Sequence, residues 1–417
     1  MTSLHLTDLA QPLLSEHQRR AMRDAERCPV TLSEQAVLQA AIDATGLDDF
    51  GEPDFRERLA VWLEAGTQDI GLNALGRAVL FGYCVRYASN RLRLEDLVRR
   101  HPEILAERIA RPVFIAGLPR SGTTSLINLM GRDARWRSLP YWEAVAPFPG
   151  LAGGFDSSLA DPRRLQCLRE WEQFDALLPH LKAMHEMSPD HIHEDLELQA
   201  LDFTSYNIEW TAHVPRWRDW YLAHDRQTHY AYLRKALQAL QWQDRRAGRA
   251  PRRWLLKCPQ HLENLGAVMQ TFPDATLVLT HRDPLEVIQS AATMVAYGDR
   301  VRRHRIDLRL TTDYWIDRIA RMLEACVRDR ASVPDAQSMD VPFAHYVADE
   351  AGTLERIYAL AGEALNPDGA RAVRNEIKAR SDAHVRVAYD LFDTLGIDTT
   401  ALRQRFAFYL DRFPALR

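Results

Sequence analysis

Apolar residues recur at helical spacing through the first hundred positions, as in Val37, Ala40 and Ala41 and again in Phe55, Leu59 and Trp62. That period predicts a helical region over residues 1–110. Residues 91–110 are charged and amphipathic, and Pro102 marks a break within them. The texture changes at Arg111. Val113-Phe114-Ile115-Ala116 is a short, continuous apolar run of the kind that forms a strand buried on both faces. A glycine-punctuated stretch, 117–122, separates it from a helical pattern over 123–130. Residues 140–154, rich in aromatics, prolines and glycines, predict a loop. Residues 161–250 read as mostly helical, with Leu233, Leu237 and Leu240 on one face. Trp254-Leu255-Leu256 predicts a second buried strand, and Leu262, Leu265 and Met269 a helix after it. ATLVLT at 275–280 predicts a third strand, followed by a helix over 284–296. Trp315, Ile319, Met322 and Cys326 form another helical stripe. Residues 340–343 predict a last strand before a helix through Leu354 and Ile357.

Strand-then-helix alternation of this kind predicts an α/β fold with a mostly parallel sheet flanked by helices, and with large helical additions. The expected organisation is a helical N-terminal region over 1–110 and an α/β domain over 111–417, the latter carrying a helical insertion at about 155–250. No internal repeat or low-complexity linker interrupts it.

Composition narrows the function classes. The 417 residues are 46% hydrophobic and 26% charged, enough apolar material for a large core and unlike a disordered, collagen-like or disulfide-scaffold chain. With 53 basic and 57 acidic residues the net charge is -4, which argues against a nucleic-acid partner but leaves room for local basic clusters around a small anion. The five cysteines (Cys28, Cys84, Cys167, Cys258 and Cys326) form no C-x-x-C pair, so a reducing compartment is expected and no metal site. The first twenty residues lack the apolar run of a signal peptide, and no stretch has the apolar length of a membrane span. The expectation is a cytoplasmic protein.

The segment Gly117-Leu118-Pro119-Arg120-Ser121-Gly122-Thr123-Thr124 lies between a predicted strand and a predicted helix. Glycines let backbone approach a ligand, and the free N–H groups of a helix start point at an anion. The G-x-x-x-x-G frame is that of a phosphate loop, but Thr123 stands where a nucleoside-triphosphate-binding loop has its lysine. Arg120 supplies a cation within the loop, and Ser121, Thr123 and Thr124 supply hydroxyls. No magnesium-holding acidic partner is evident. The competing reading is an ordinary βα turn. Two glycines, an arginine and three hydroxyls at one junction favour an anion shorter than a triphosphate.

At this point the chain resembles the sulfotransferases that use 3′-phosphoadenosine 5′-phosphosulfate (PAPS), in particular the broad bacterial and tyrosylprotein-type branch. Three pieces match in order: PVFIAGLPRSGTTSL, WLLKCPQHLENL and FPDATLVLTHRDPLEVIQSAATM. Weaker echoes appear at MDVPFAHYVADEAGTLERIY and over 384–396. The resemblance covers about residues 111–300 and implies a P-loop-type α/β fold. It implies that Arg120, Ser121, Gly122, Thr123 and Thr124 hold the 5′-phosphosulfate, and that Arg282 and Ser290 hold the ribose 3′-phosphate. It also makes Lys257, at the end of a buried strand, the cation for the bridging oxygen. The implied reaction is in-line transfer of a sulfonyl group to a hydroxyl or amine, with PAPS as co-substrate and no metal. A general base is then required, and Glu143, in the place of the branch's glutamate, ranks first. His261, four residues after Lys257, ranks second, and His193 or Glu194 third. Bland alternatives stand beside these roles: Arg282 could pair with Asp283 or Glu286, and the arginines over 300–309 could form a solvated basic face. The acceptor is expected to be a small or lipid-like molecule, and a homodimer is left open. The rival readings are a P-loop small-molecule kinase and a non-catalytic nucleotide-binding protein of the same fold.

Overall fold

The computed structural model describes residues 3–149, 161–185, 187–383 and 386–416. In chain order the strands among them are β1 (Ser3–His5), β2 (Val113–Gly117), β3 (Trp136–Arg137), β4 (Arg253–Lys257), β5 (Thr276–His281), β6 (Ser338–Pro342) and β7 (Arg386–Ala388). Five of them form one sheet in the order β3-β4-β2-β5-β6, and every neighbouring pair is parallel. β2 and β5 are buried along their whole length, as continuous apolar runs must be when helices cover both faces of a sheet.

Successive strand residues point to opposite faces. Phe114, Ala116, Leu256, Leu277 and Leu279 therefore enter one core with the helices Gln227–Arg246, Pro284–Arg302 and Leu308–Asp329. Val113, Ile115, Leu255, Val278 and Val341 enter another with the helices Thr123–Met130 and Glu350–Leu360. A third core joins the N-terminal helices to the inserted segment: Val37, Leu59, Trp62 and Tyr87 pack with Phe203, Tyr206, Trp217 and Tyr221. Arg318 is fully buried between the carboxylates of Glu209 and Glu263, tying the helix Leu308–Asp329 to that inserted segment and to the turn after β4.

Several details differ from the sequence expectations. Within 140–154, Tyr141–Val145 forms a short helix started by Pro140 and anchored by Glu143 to Arg137, while 150–154 lie outside the described residues. The last sheet strand is Ser338–Pro342, two residues earlier than its apolar pattern suggests, because Phe343 already begins the helix Phe343–Ala348. β1 and β7, three residues each, pair in parallel as a separate two-stranded sheet, and β3 has two residues. Segments that short carry no periodic signal. Among the described residues no helix is long and apolar enough to cross a membrane.

Candidate active site

β2 is the central strand, and its two neighbours are β4 and β5. The loop after β2 is thus flanked by the C-terminal ends of both, the crevice where open parallel sheets bind ligands. Gly117 is required there: a Cβ on it would sit 2.0 Å from Thr280 Oγ1. Ser121 Oγ donates to Leu118 O at 2.6 Å and lies 2.7 Å from Thr280 Oγ1, which binds the loop to β5. Arg120 (φ +68°) and Gly122 (φ +87°) both occupy the left-handed region. For arginine that conformation is strained and persists only where its surroundings hold it.

Those surroundings are specific. Arg120 Nε donates to Ser290 Oγ at 3.0 Å, and its guanidinium also hydrogen-bonds Tyr389. Arg282 Nη1 donates to Arg120 O at 2.7 Å. Burial, together with the neighbouring Arg282 charge, holds Arg120 below the usual arginine range, although Tyr389 opposes this. Two guanidiniums converging beside a serine hydroxyl form a place where an anion gains charge-assisted hydrogen bonds.

Lys257 approaches from the other side. Leu255 faces the helix Thr123–Met130, so Lys257, two positions on, faces it too. Its Nζ donates to Thr124 Oγ1 at 3.2 Å and to Glu194 Oε1 at 2.5 Å, and the residue is 1% exposed. Glu194 arrives on a strap threaded between two elements. His193 N donates to Leu139 O at 2.7 Å and Tyr141 N to His191 O at 2.9 Å, while Asp195 N donates to Lys257 O at 3.2 Å. Glu194 Oε2 is buried with no hydrogen-bond partner among the described residues.

Three histidines carry the Lys257 field. Burial first, and the Lys257 charge second, lower the pKa of His185, His191 and His193, that of His191 to about 4. Hydrogen bonding agrees for His191. Asn128 Oδ1 accepts from Ile192 N, so its Nδ2 donates to Thr124 O and to His191 Nε2, which must be unprotonated.

The structure distributes the expected residues unevenly. Arg120, Ser121, Gly122, Thr123, Thr124, Lys257, Arg282 and Ser290 gather at the sheet end. Arg282 also makes the ion pair with Glu286, at 2.7 Å, and lies 4.4 Å over the Phe343 ring. Glu143, ranked first as base, is buried elsewhere: Arg137 binds both its oxygens, at 2.6 and 2.7 Å, while stacking on Trp254 and pairing with Asp244. His261 is fully buried. Its Nδ1 meets Tyr230 OH at 2.8 Å, its Nε2 meets Asp195 Oδ1 at 3.1 Å, and its ring lies edge-on to Phe114. The short helix Pro259–Glu263 turns it into the core rather than toward Lys257. Neither first- nor second-ranked base therefore reaches the ammonium, whereas the last-ranked Glu194 does.

The arginines over 300–309 are mostly taken by acidic partners at the far end of the helix Pro284–Arg302. Arg300 pairs with Asp8, Arg303 with Asp69 and Asp299, and Arg309 with Asp313. Asn128 and Tyr389 were not anticipated, since nothing in their local sequence marks them.

The fold and site define an α/β protein whose parallel sheet is flanked by helices and carries, at the end of its central strand, a glycine-containing loop with cations from both neighbouring strands beside it. The chain matches the family model described as the sulfotransferase family over residues 112–367 and belongs to that family. It is similar to sulfotransferase STF1 from Mycobacterium tuberculosis, with 29% identity and a TM-score of 0.78, covering 90% of this chain and 98% of that one. It is likewise similar to sulfotransferase STF9 from Mycobacterium avium, with 26% identity and a TM-score of 0.79, covering 92% and 97%. No curated protein matches it. Family and fold together make sulfonyl transfer its general activity.

Proposed function

We propose that the protein moves a sulfonyl group from PAPS to a hydroxyl or amine of a small or lipid-like acceptor, by in-line displacement. The observation that carries this reading is the placement of Lys257, whose ammonium touches Thr124 of the loop from β4 while Arg120 closes the loop from the β5 side. In this reading Arg120, Ser121, Gly122, Thr123 and Thr124 cradle the 5′-phosphosulfate through backbone N–H groups, hydroxyls and one guanidinium. Arg282 and Ser290 hold the ribose 3′-phosphate. Glu286, exposed, is a weak competitor for Arg282 and is readily exchanged for a phosphate. As the bond to sulfur breaks, charge collects on the bridging oxygen of the leaving bisphosphate. A buried lysine aimed there stabilises the transition state more than the ground state.

A kinase reading is disfavoured by Thr123, which leaves the loop without its triphosphate-gripping lysine. Thermal unfolding separates the two. Adenosine 3′,5′-bisphosphate should raise Tm, by an amount matching about 2.7 kcal/mol at a hundred times its Kd, whereas ATP with magnesium should not. Protection by ATP with magnesium alone would reverse the assignment.

A further inference from the structure

Lys257 stands between Thr124 of the anion loop and the carboxylate of Glu194. Whatever anion fills the loop competes with Glu194 for the same ammonium. Glu194 has little else: its second oxygen is already without a partner, and Lys257 is its one cation among the described residues. The groups that face it, Glu197, Tyr206 and Cys258, are acidic or neutral, and Arg86 is bound to Glu197 at 2.7 Å. Asp195, next along the strap, is held by His261 and Gln199. The histidines on the Lys257 side, His185, His191 and His193, are kept neutral, and Arg120 is engaged across the loop.

We propose that Glu194 is the proton acceptor of the site, and that the donor activates it by drawing Lys257 off the carboxylate. The proposal rests on the PAPS reading above. An ion-paired carboxylate is a poor base. Freed of that cation, the same carboxylate has both oxygens open to take the acceptor's proton. In the step, the acceptor oxygen bonds to sulfur. The bond from sulfur to the 5′-phosphate oxygen breaks, and its electron pair stays on the bisphosphate beside Lys257. The acceptor's proton passes to Glu194. One displacement of Lys257 thus serves both the leaving group and the base.

The test needs no acceptor. Adenosine 3′,5′-bisphosphate is titrated calorimetrically into the full chain in buffers of different ionisation enthalpy. The wild type should take up more protons per bound ligand than Glu194→Gln does. Glu194→Gln should bind the bisphosphate several-fold more tightly, because Lys257 is no longer contested. Infrared difference spectra of the wild type should show a protonated carboxyl band on binding, and this reading stands even if the variant folds poorly. Equal proton uptake in both proteins, or a wild type without the carboxyl band, would overturn the role of Glu194. Failure of the wild type to bind the bisphosphate would overturn the donor reading beneath it.

Discussion

At Arg282 one guanidinium holds the loop through Arg120 O, covers Phe343 and pairs with Glu286. Arg282→Ala should weaken adenosine 3′,5′-bisphosphate binding about tenfold or more, the scale of a lost charge-assisted hydrogen bond. Glu286→Ala should strengthen it up to a few-fold, since a surface ion pair holds its arginine only weakly. Calorimetric Kd values for both variants check this, and an unchanged Kd in Arg282→Ala would remove that residue from the donor site. His261 makes the opposite case. His261→Leu should cost about 2–4 kcal/mol in denaturant unfolding, because it strands Tyr230 OH and Asp195 in the core, yet it should leave bisphosphate affinity unchanged. The sequence put His261 near Lys257 by spacing alone. Spacing does not reveal that the chain turns inward at Pro259. Glu194 was the least legible of the set, because its contact with Lys257 is made by backbone bonds to two distant segments.

Among the elements, β2 and β5 are held close by Gly117 and Thr280. Gly117→Ala should overpack this junction by about 1–3 kcal/mol and lower bisphosphate affinity as the loop shifts, seen as a lower Tm and a raised Kd. The β5–β6 edge has an acid-sensitive tie. Asp340 is partly buried, which alone would raise its pKa, but hydrogen bonds from His281 and Arg330 bring it to about 2. Its folded value lies below the ordinary value of about 3.9. The stability it supplies is therefore complete above that value and is lost as pH falls through 2. Asp340→Asn should lower Tm at neutral pH and flatten the fall in Tm between about pH 4 and pH 2. The strands that carry the site were legible because a doubly covered strand writes itself as an unbroken apolar run. β1, β3 and β7 were not, being held by partners rather than by pattern.

On the scale of the whole molecule, the helices of 1–110 do not stand apart. Val37, Leu59 and Trp62 share a core with Phe203, Trp217 and Tyr221, residues of the segment that also leads into the Glu194 strap's neighbours. Deleting 1–110 should expose that core and abolish cooperative unfolding in circular dichroism, with rapid loss of the 196–221 region to limited proteolysis. A stable, bisphosphate-binding remainder would show that the shared core is dispensable. The sequence made the change of texture at Arg111 plain, but helical periodicity says which face is buried and not against what.

The small β1–β7 sheet has a consequence for how the protein comes into being. Chains are made from the N-terminus, so Ser3–His5 is synthesised long before its partner Arg386–Ala388. A nascent chain halted before Arg386 already carries the anion loop, Lys257 and Arg282. It has no mate for its opening strand and no Tyr389 to steady Arg120. The pairing of the two strands, and the Tyr389 contact with Arg120, thereby wait until Arg386–Ala388 and Tyr389 have been made.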